Sequence, residues 1–232
     1  MKNDQTKNFL KNQNQKFMKT RVIILILSVF AGYTNHASGN DNQYAEAMAK
    51  NIQTVYSAQS IAELQVAVNA LERIASTEKT KWEPYYYAAF GYIMIAYREQ
   101  DGSKKDSYLD QAIVDIKKAK TIAEKESEII ALEGFVHIIR ITVDPATRGQ
   151  QYSGLAMQTL GRALSLNPEN PRALALIAQT QLGTAQFLGS STTEACATND
   201  AALQKFASFK SENPLAPKWG KGMAEETNAK CK

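Results

Sequence analysis

Small residues recur along this chain at a fixed interval, and that interval constrains the fold more than any other feature. Ala67, Ala112, Ala156 and Ala202 are each followed, 22 residues later, by Ala89, Gly134, Ala178 and Ala224. Within the intervening pairs the steps are uneven: 23 from Ala89 to Ala112, 22 from Gly134 to Ala156 and 24 from Ala178 to Ala202. Each small residue sits in a helical pattern. Ala156, Leu160 and Ala163 follow at i, i+4 and i+7, and Ala67, Leu71 and Ile74 do the same, with Leu64 one turn before them. Pro168 and Pro214 each stand 12 residues beyond their alanines, as helix stops. A small residue where two helices cross lets their backbones approach, and large apolar neighbours fill the remaining gaps. The pattern therefore predicts stacked helix pairs. No stretch alternates with period two for long, so strands are not expected.

The predicted pairs span about 43–76, 84–123, 127–167 and 171–211, with a cap over 218–230 that has no second helix. Asp101-Gly102-Ser103, Asp144-Pro145 with Arg148-Gly149, and Gly189 to Thr198 read as loops inside the pairs. Each unit after the first thus carries an extended connection between its first helix (A) and its second (B).

Residues 1–39 read as a secretory signal and 40–232 as one helical repeat domain. Six basic residues precede the run Val22–Ala31, and Ala37-Ser38-Gly39 supplies a small-residue cleavage site. A largely apolar run of ten residues is too short to cross a bilayer, which takes about 20. Met18 is an alternative start. The leader holds six of the 27 basic and one of the 23 acidic residues, leaving 21 and 22. The formal charge of +4 therefore belongs to the leader, and no basic face for nucleic acid is expected. The protein is expected to be exported, periplasmic or secreted, with no stable membrane anchor after cleavage. An even count of two cysteines, Cys196 and Cys231, suggests one disulfide in such a compartment; two free thiols are the other reading.

Over about residues 43–230 the chain resembles the tetratricopeptide repeat superfamily, and in detail a family of small exported bacterial proteins with that repeat. Arg73-Ile74-Ala75, Glu78-Lys79-Thr80, Trp82 and Tyr85-Tyr86-Tyr87 carry the resemblance. So do Val143-Asp144-Pro145, Asn167-Pro168, Asn170-Pro171-Arg172, Ala195-Cys196 and Pro217-Lys218-Trp219-Gly220. It implies an all-α, right-handed α-solenoid of about four pairs with extended A–B loops and a C-terminal capping helix. In such a stack Cys196 and the end of the cap, Cys231, lie on one rim, where a disulfide would pin the cap to the last pair. Closing a loop of that length is worth about 3–4 kcal/mol in the chain-entropy account.

The resemblance also implies a concave groove lined by A helices, with Tyr86, Phe90, Ile93, Met94, Phe135, Ile138 and Gln179 on its wall. That wall is apolar and aromatic, so the expected ligand is a protein or peptide partner with an apolar face. Tyr86 or Tyr87 is the member of the tyrosine cluster expected to be open. Arg148 and Gln151 on the middle rim loop are a second candidate surface. A small-molecule or glycan binder, or an enzyme using the rim loops, is the alternative.

Chemistry-bearing patterns are few. His137, the one histidine in residues 40–232, stands where the resemblance implies a packing position, and one histidine with two paired cysteines cannot close a zinc site. No nucleophile elbow or phosphate-cradling glycine pattern is present. Asp101, Ser103, Asp106 and Asp110 lack the ligand spacing of a calcium loop. No catalytic residue, metal or cofactor is expected.

Overall fold

The computed structural model describes residues 35–231. The leader therefore lies outside the described residues except for its last five positions. Two compact units are present, Met1–Glu46 and Ala47–Lys232. Of the first, only helical residues 35–46 are described.

Nine helices are found among the described residues, and no strand. They are α1 (Asn35–Ser57), α2 (Ile61–Thr77), α3 (Glu83–Arg98), α4 (Gly102–Ile122), α5 (Ser127–Ile141), α6 (Pro145–Leu166), α7 (Pro171–Leu188), α8 (Thr193–Ser208) and α9 (Lys221–Ala229). In the second unit α2 to α9 each pack on the next helix. In addition α3 touches α5, α5 touches α7 and α7 touches α9, whereas the backbones of α4, α6 and α8 stay apart from one another. The A helices thus form one continuous layer, with the B helices laid on it singly.

The 22-residue series is the spine of this packing. Ala89, Ala112, Ala156, Ala178, Ala202 and Ala224 are fully buried, and Ala67 and Gly134 are buried with them. A Cβ on Gly134 would lie 2.6 Å from Leu160 Cδ2, and one on Gly91 would lie 2.5 Å from Val68 Cγ2. At these two crossings only glycine admits the partner helix at this distance.

The extended A–B loops do not exist. The A–B connections are only residues 99–101, 142–144 and 189–192. The extra residues of each unit lengthen the helices, most of all α4 and α6. The supposed loop signals are helix starts. Asp101 is an N-cap whose carboxylate accepts from Lys104 N. Asp144 caps α6, accepting from Thr147 N, and Pro145 occupies the first turn, where its missing N–H has no partner to lose. Only Gly189, with φ of 65°, acts as the expected stop, ending α7 in the left-handed conformation.

Candidate functional site

The face shared by the A helices is built around a segment that is not helical. Between α8 and α9 the chain runs through Asn213-Pro214-Leu215-Ala216-Pro217-Lys218-Trp219, with two prolines that prevent a helix from continuing. This segment is tied back to the start of the array. Asn213 Nδ2 donates to Glu83 (3.0 Å), the Tyr87 hydroxyl to Leu215 O (2.7 Å), and Lys218 N to the Tyr56 hydroxyl (3.1 Å).

Its last residue fills the space between α3 and α5. The Trp219 indole stacks on Phe90 at 5.3 Å and on Phe135 at 5.5 Å, with ring planes within 16° and 20°. Its Nε1–H donates to the Tyr86 hydroxyl (2.9 Å). Tyr56, Tyr87 and Trp82 meet this cluster edge-on. Burial pushes the Tyr86 and Tyr87 phenols far above their ordinary range, so both stay protonated and act as neutral hydrogen-bonding groups.

Beneath the segment lies a buried ion pair. Arg172 is 1% exposed and holds Glu128 through Nε (2.6 Å) and Nη2 (2.8 Å). Its Nη1 reaches Trp219 O at 3.4 Å, and its guanidinium lies 4.5 Å from the Phe209 ring centre. Ser127, Asn170 and Ala163 form a hydrogen-bonded chain beside it, joining the starts of α5 and α7 to the end of α6.

The residues expected to line the groove therefore divide. Tyr86, Phe90 and Phe135 are covered by Trp219. Tyr86 and Tyr87, of which one is expected to be open, are 0% and 1% exposed, because the returning segment takes up their hydroxyls. Ile93 and Ile138 are buried, Met94 is half-buried and Gln179 is exposed. The open part of the A-helix face begins at Met94. Phe90, Met94 and Tyr97 follow at i, i+4 and i+7 on one face of α3, and Tyr97 is 66% exposed. At the same end of the A layer Phe187 and Leu188, closing α7, are 76% and 68% exposed.

On the rim, Arg148 is held by Asp106 (2.8 Å), which also accepts from Arg140 (2.9 Å), while Arg140 reaches Asp110 (2.5 Å). The Arg148 bond, with Arg140 beside it, draws the Asp106 carboxyl below its ordinary range. These charges brace α4 against α5 and α6. Gln151 is exposed one turn along α6. Cys196 and Cys231 form a disulfide with Cα atoms 5.7 Å apart, which fixes the end of α9 to the first turn of α8. His137 stacks on Tyr152 at 6.2 Å, and burial lowers its affinity for a proton. Among the described residues no group of three or more His, Cys, Asp or Glu could hold a metal ion.

Sequence reasoning missed Trp219 as the centre of the site, and Tyr97. Pro214 and Pro217 were visible as a break between helices, but nothing local shows that the break folds back onto α3. A tryptophan flanked by prolines and glycine, outside any helical period, was the available signal.

No protein-family model matches the chain, and a search of curated proteins finds no relative. Among solved structures, that of the HusA haemophore from Porphyromonas gingivalis is similar, with a TM-score of 0.73 and 30% sequence identity. The match covers 82% of this chain and 92% of that one.

Proposed function

The chain belongs to the family of the HusA haemophore, and on that premise we propose that it is an exported, non-enzymatic carrier of haem or a closely related tetrapyrrole. The observation that carries the reading is 30% identity over nearly the whole of a haemophore. The surface suits such a cargo. A tetrapyrrole is flat and apolar on both faces, and it carries carboxylates at one edge. Met94 and Tyr97 on α3, with exposed Phe187 and Leu188 at the end of α7, offer apolar area on the helix layer that carries the aromatic floor. Tyr97 adds a phenol, a group that can ligate haem iron. The disulfide fits an oxidising compartment. We read the two-layer array as a right-handed solenoid of tetratricopeptide-like pairs, which places that apolar area on its concave side.

The test is titration of the protein with haemin, followed by the Soret band. Saturable binding is expected, weakened at least tenfold by Met94→Glu or Tyr97→Ala. An absorbance that grows linearly, as in buffer alone, overturns the reading. A peptide partner is the second reading. It is favoured by one observation, that the A-helix face already accepts a non-helical peptide segment in the form of residues 213–219.

A further inference from the structure

Three arginines stand along the rim where A helices end and B helices begin: Arg98 closing α3, Arg140 in the last turn of α5 and Arg148 in the first turn of α6. Two of them are neutralised within the protein. Arg140 and Arg148 share Asp106, and Arg140 also holds Asp110. Arg148, expected to offer a binding surface, therefore already has its counter-charge.

Arg98 differs. Its Nη2 donates to Ala58 O at 2.8 Å, which ties the end of α3 to the turn between α1 and α2. Among the described residues no carboxylate pairs with it, because the acids around it are turned to backbone N–H groups. Glu99 Oε1 accepts from Gln100 N (2.8 Å) and Asp101 N (3.0 Å). Asp101 Oδ1 accepts from Lys104 N (2.9 Å), and Glu63 Oε2 accepts from Gln59 N (2.7 Å). A guanidinium carries five donors in a rigid plane and keeps its charge at any ordinary pH. Arg98 is exposed, so a group held at one corner by a carbonyl presents its other donors to solvent.

Its place on α3 gives that charge a use. Tyr97 and Arg98 follow Met94 at i+3 and i+4, so the three share one face of the helix. Half-buried Met94, the exposed Tyr97 phenol and an uncompensated cation are thus contiguous where the A-helix face opens. Resting on the reading of the chain as a tetrapyrrole carrier, we propose that Arg98 selects the cargo by its carboxylates. The guanidinium receives a carboxylate at the edge of the tetrapyrrole while Met94 and Tyr97 meet the ring. The ligand class is then a tetrapyrrole with free acid groups, in preference to an esterified one.

The experiment is titration of the parent and of Arg98→Gln with haemin and with haemin dimethyl ester, in one mixed solvent and followed by the Soret band. Arg98→Gln should weaken haemin about fivefold, the size of a well-aligned ion pair that stays in contact with water, and leave the ester unchanged. Arg98→Lys should restore part of the loss. Arg148→Gln should bind haemin as the parent does. Arg98→Gln also removes the bond to Ala58 O, but loosening of the fold weakens acid and ester alike. Equal weakening of both ligands, or unchanged haemin affinity in Arg98→Gln, overturns the role of Arg98 and leaves the carrier reading in place. Absence of saturable binding of either ligand by the parent overturns both.

Discussion

The indole Nε1–H of Trp219 donates a 2.9 Å hydrogen bond to the hydroxyl of Tyr86, which lies 133 residues earlier in the chain. Trp219→Ala removes that bond and opens the space between Phe90 and Phe135. A loss of about 3–5 kcal/mol is expected from the truncation, read as a fall in the denaturant midpoint. Trp219→Phe keeps part of the stack and loses only the donor, so a smaller loss is expected, with about 1 kcal/mol from the hydrogen bond.

Gly134 and Leu160 should behave as a coupled pair. A Cβ at position 134 would meet Leu160 Cγ and Cδ2 at 2.6 Å, so Gly134→Ala is expected to cost about 1–3 kcal/mol by overpacking. Adding Leu160→Ala makes room for the new methyl. The double variant should then be more stable than the sum of the two single losses requires, and a double-mutant cycle measures that difference. Strict additivity would mean that α5 and α6 do not cross as closely as described.

Asp106 and Asp115 should bend the acid limb of the stability curve in opposite directions. Asp106, held by Arg148 and Arg140, titrates below its ordinary value of 3.8. The stability it contributes is present above that value and is lost as the pH falls through its lowered pKa. Asp115, 1% exposed, is raised by burial, partly offset by Lys118. In the window from 3.8 up to its raised pKa the folded state binds more protons than the unfolded chain. Stability from this group therefore falls as the pH rises through that window. Thermal melts from pH 3 to pH 7 should show Asp106→Asn less sensitive to acid than the parent, and destabilised at pH 7 by about 0.5–1 kcal/mol. Asp115→Asn should gain relative to the parent on going from pH 4 to pH 7.

Reduction of Cys196–Cys231 should lower stability by about 3–4 kcal/mol, for a cross-link spanning 35 residues. The loss should concentrate in α9. This helix has nine residues and is otherwise held by burial of Ala224 and Thr227 and by Asn199 donating to Ala224 O at 2.9 Å. Hydrogen exchange with and without reductant should show faster exchange over 221–229 and little change in α3 to α6.

The helix pairing was legible because it rests on local period and small-residue spacing, both properties of short stretches of chain. Ala156, Leu160 and Ala163 announce α6 and its buried face without help from the rest of the molecule. Helix starts were harder to see. Asp101 and Asp144 resemble turn residues because the hydrogen bond that caps a helix is the one that would also make a turn. The site was the least legible. Tyr86 and Phe90 were recognisable as residues of the A-helix face, but their exposure depends on Trp219, whose contacts are all made at long range. The Arg172–Glu128 pair was hidden for the same reason, since its members are 44 residues apart.

The segment that completes the aromatic floor is made after the helices that it covers. Helices α3 and α5 can pair with α4 and α6 as soon as they are synthesised, but Phe90 and Phe135 remain uncovered until Trp219 arrives. A chain that stops short of residue 219 would contain most of the array and yet present an open aromatic cleft in place of a finished surface. Completion of the face therefore waits for residue 219, and copies that stop before it carry an exposed apolar surface by which a protease or chaperone could tell them apart.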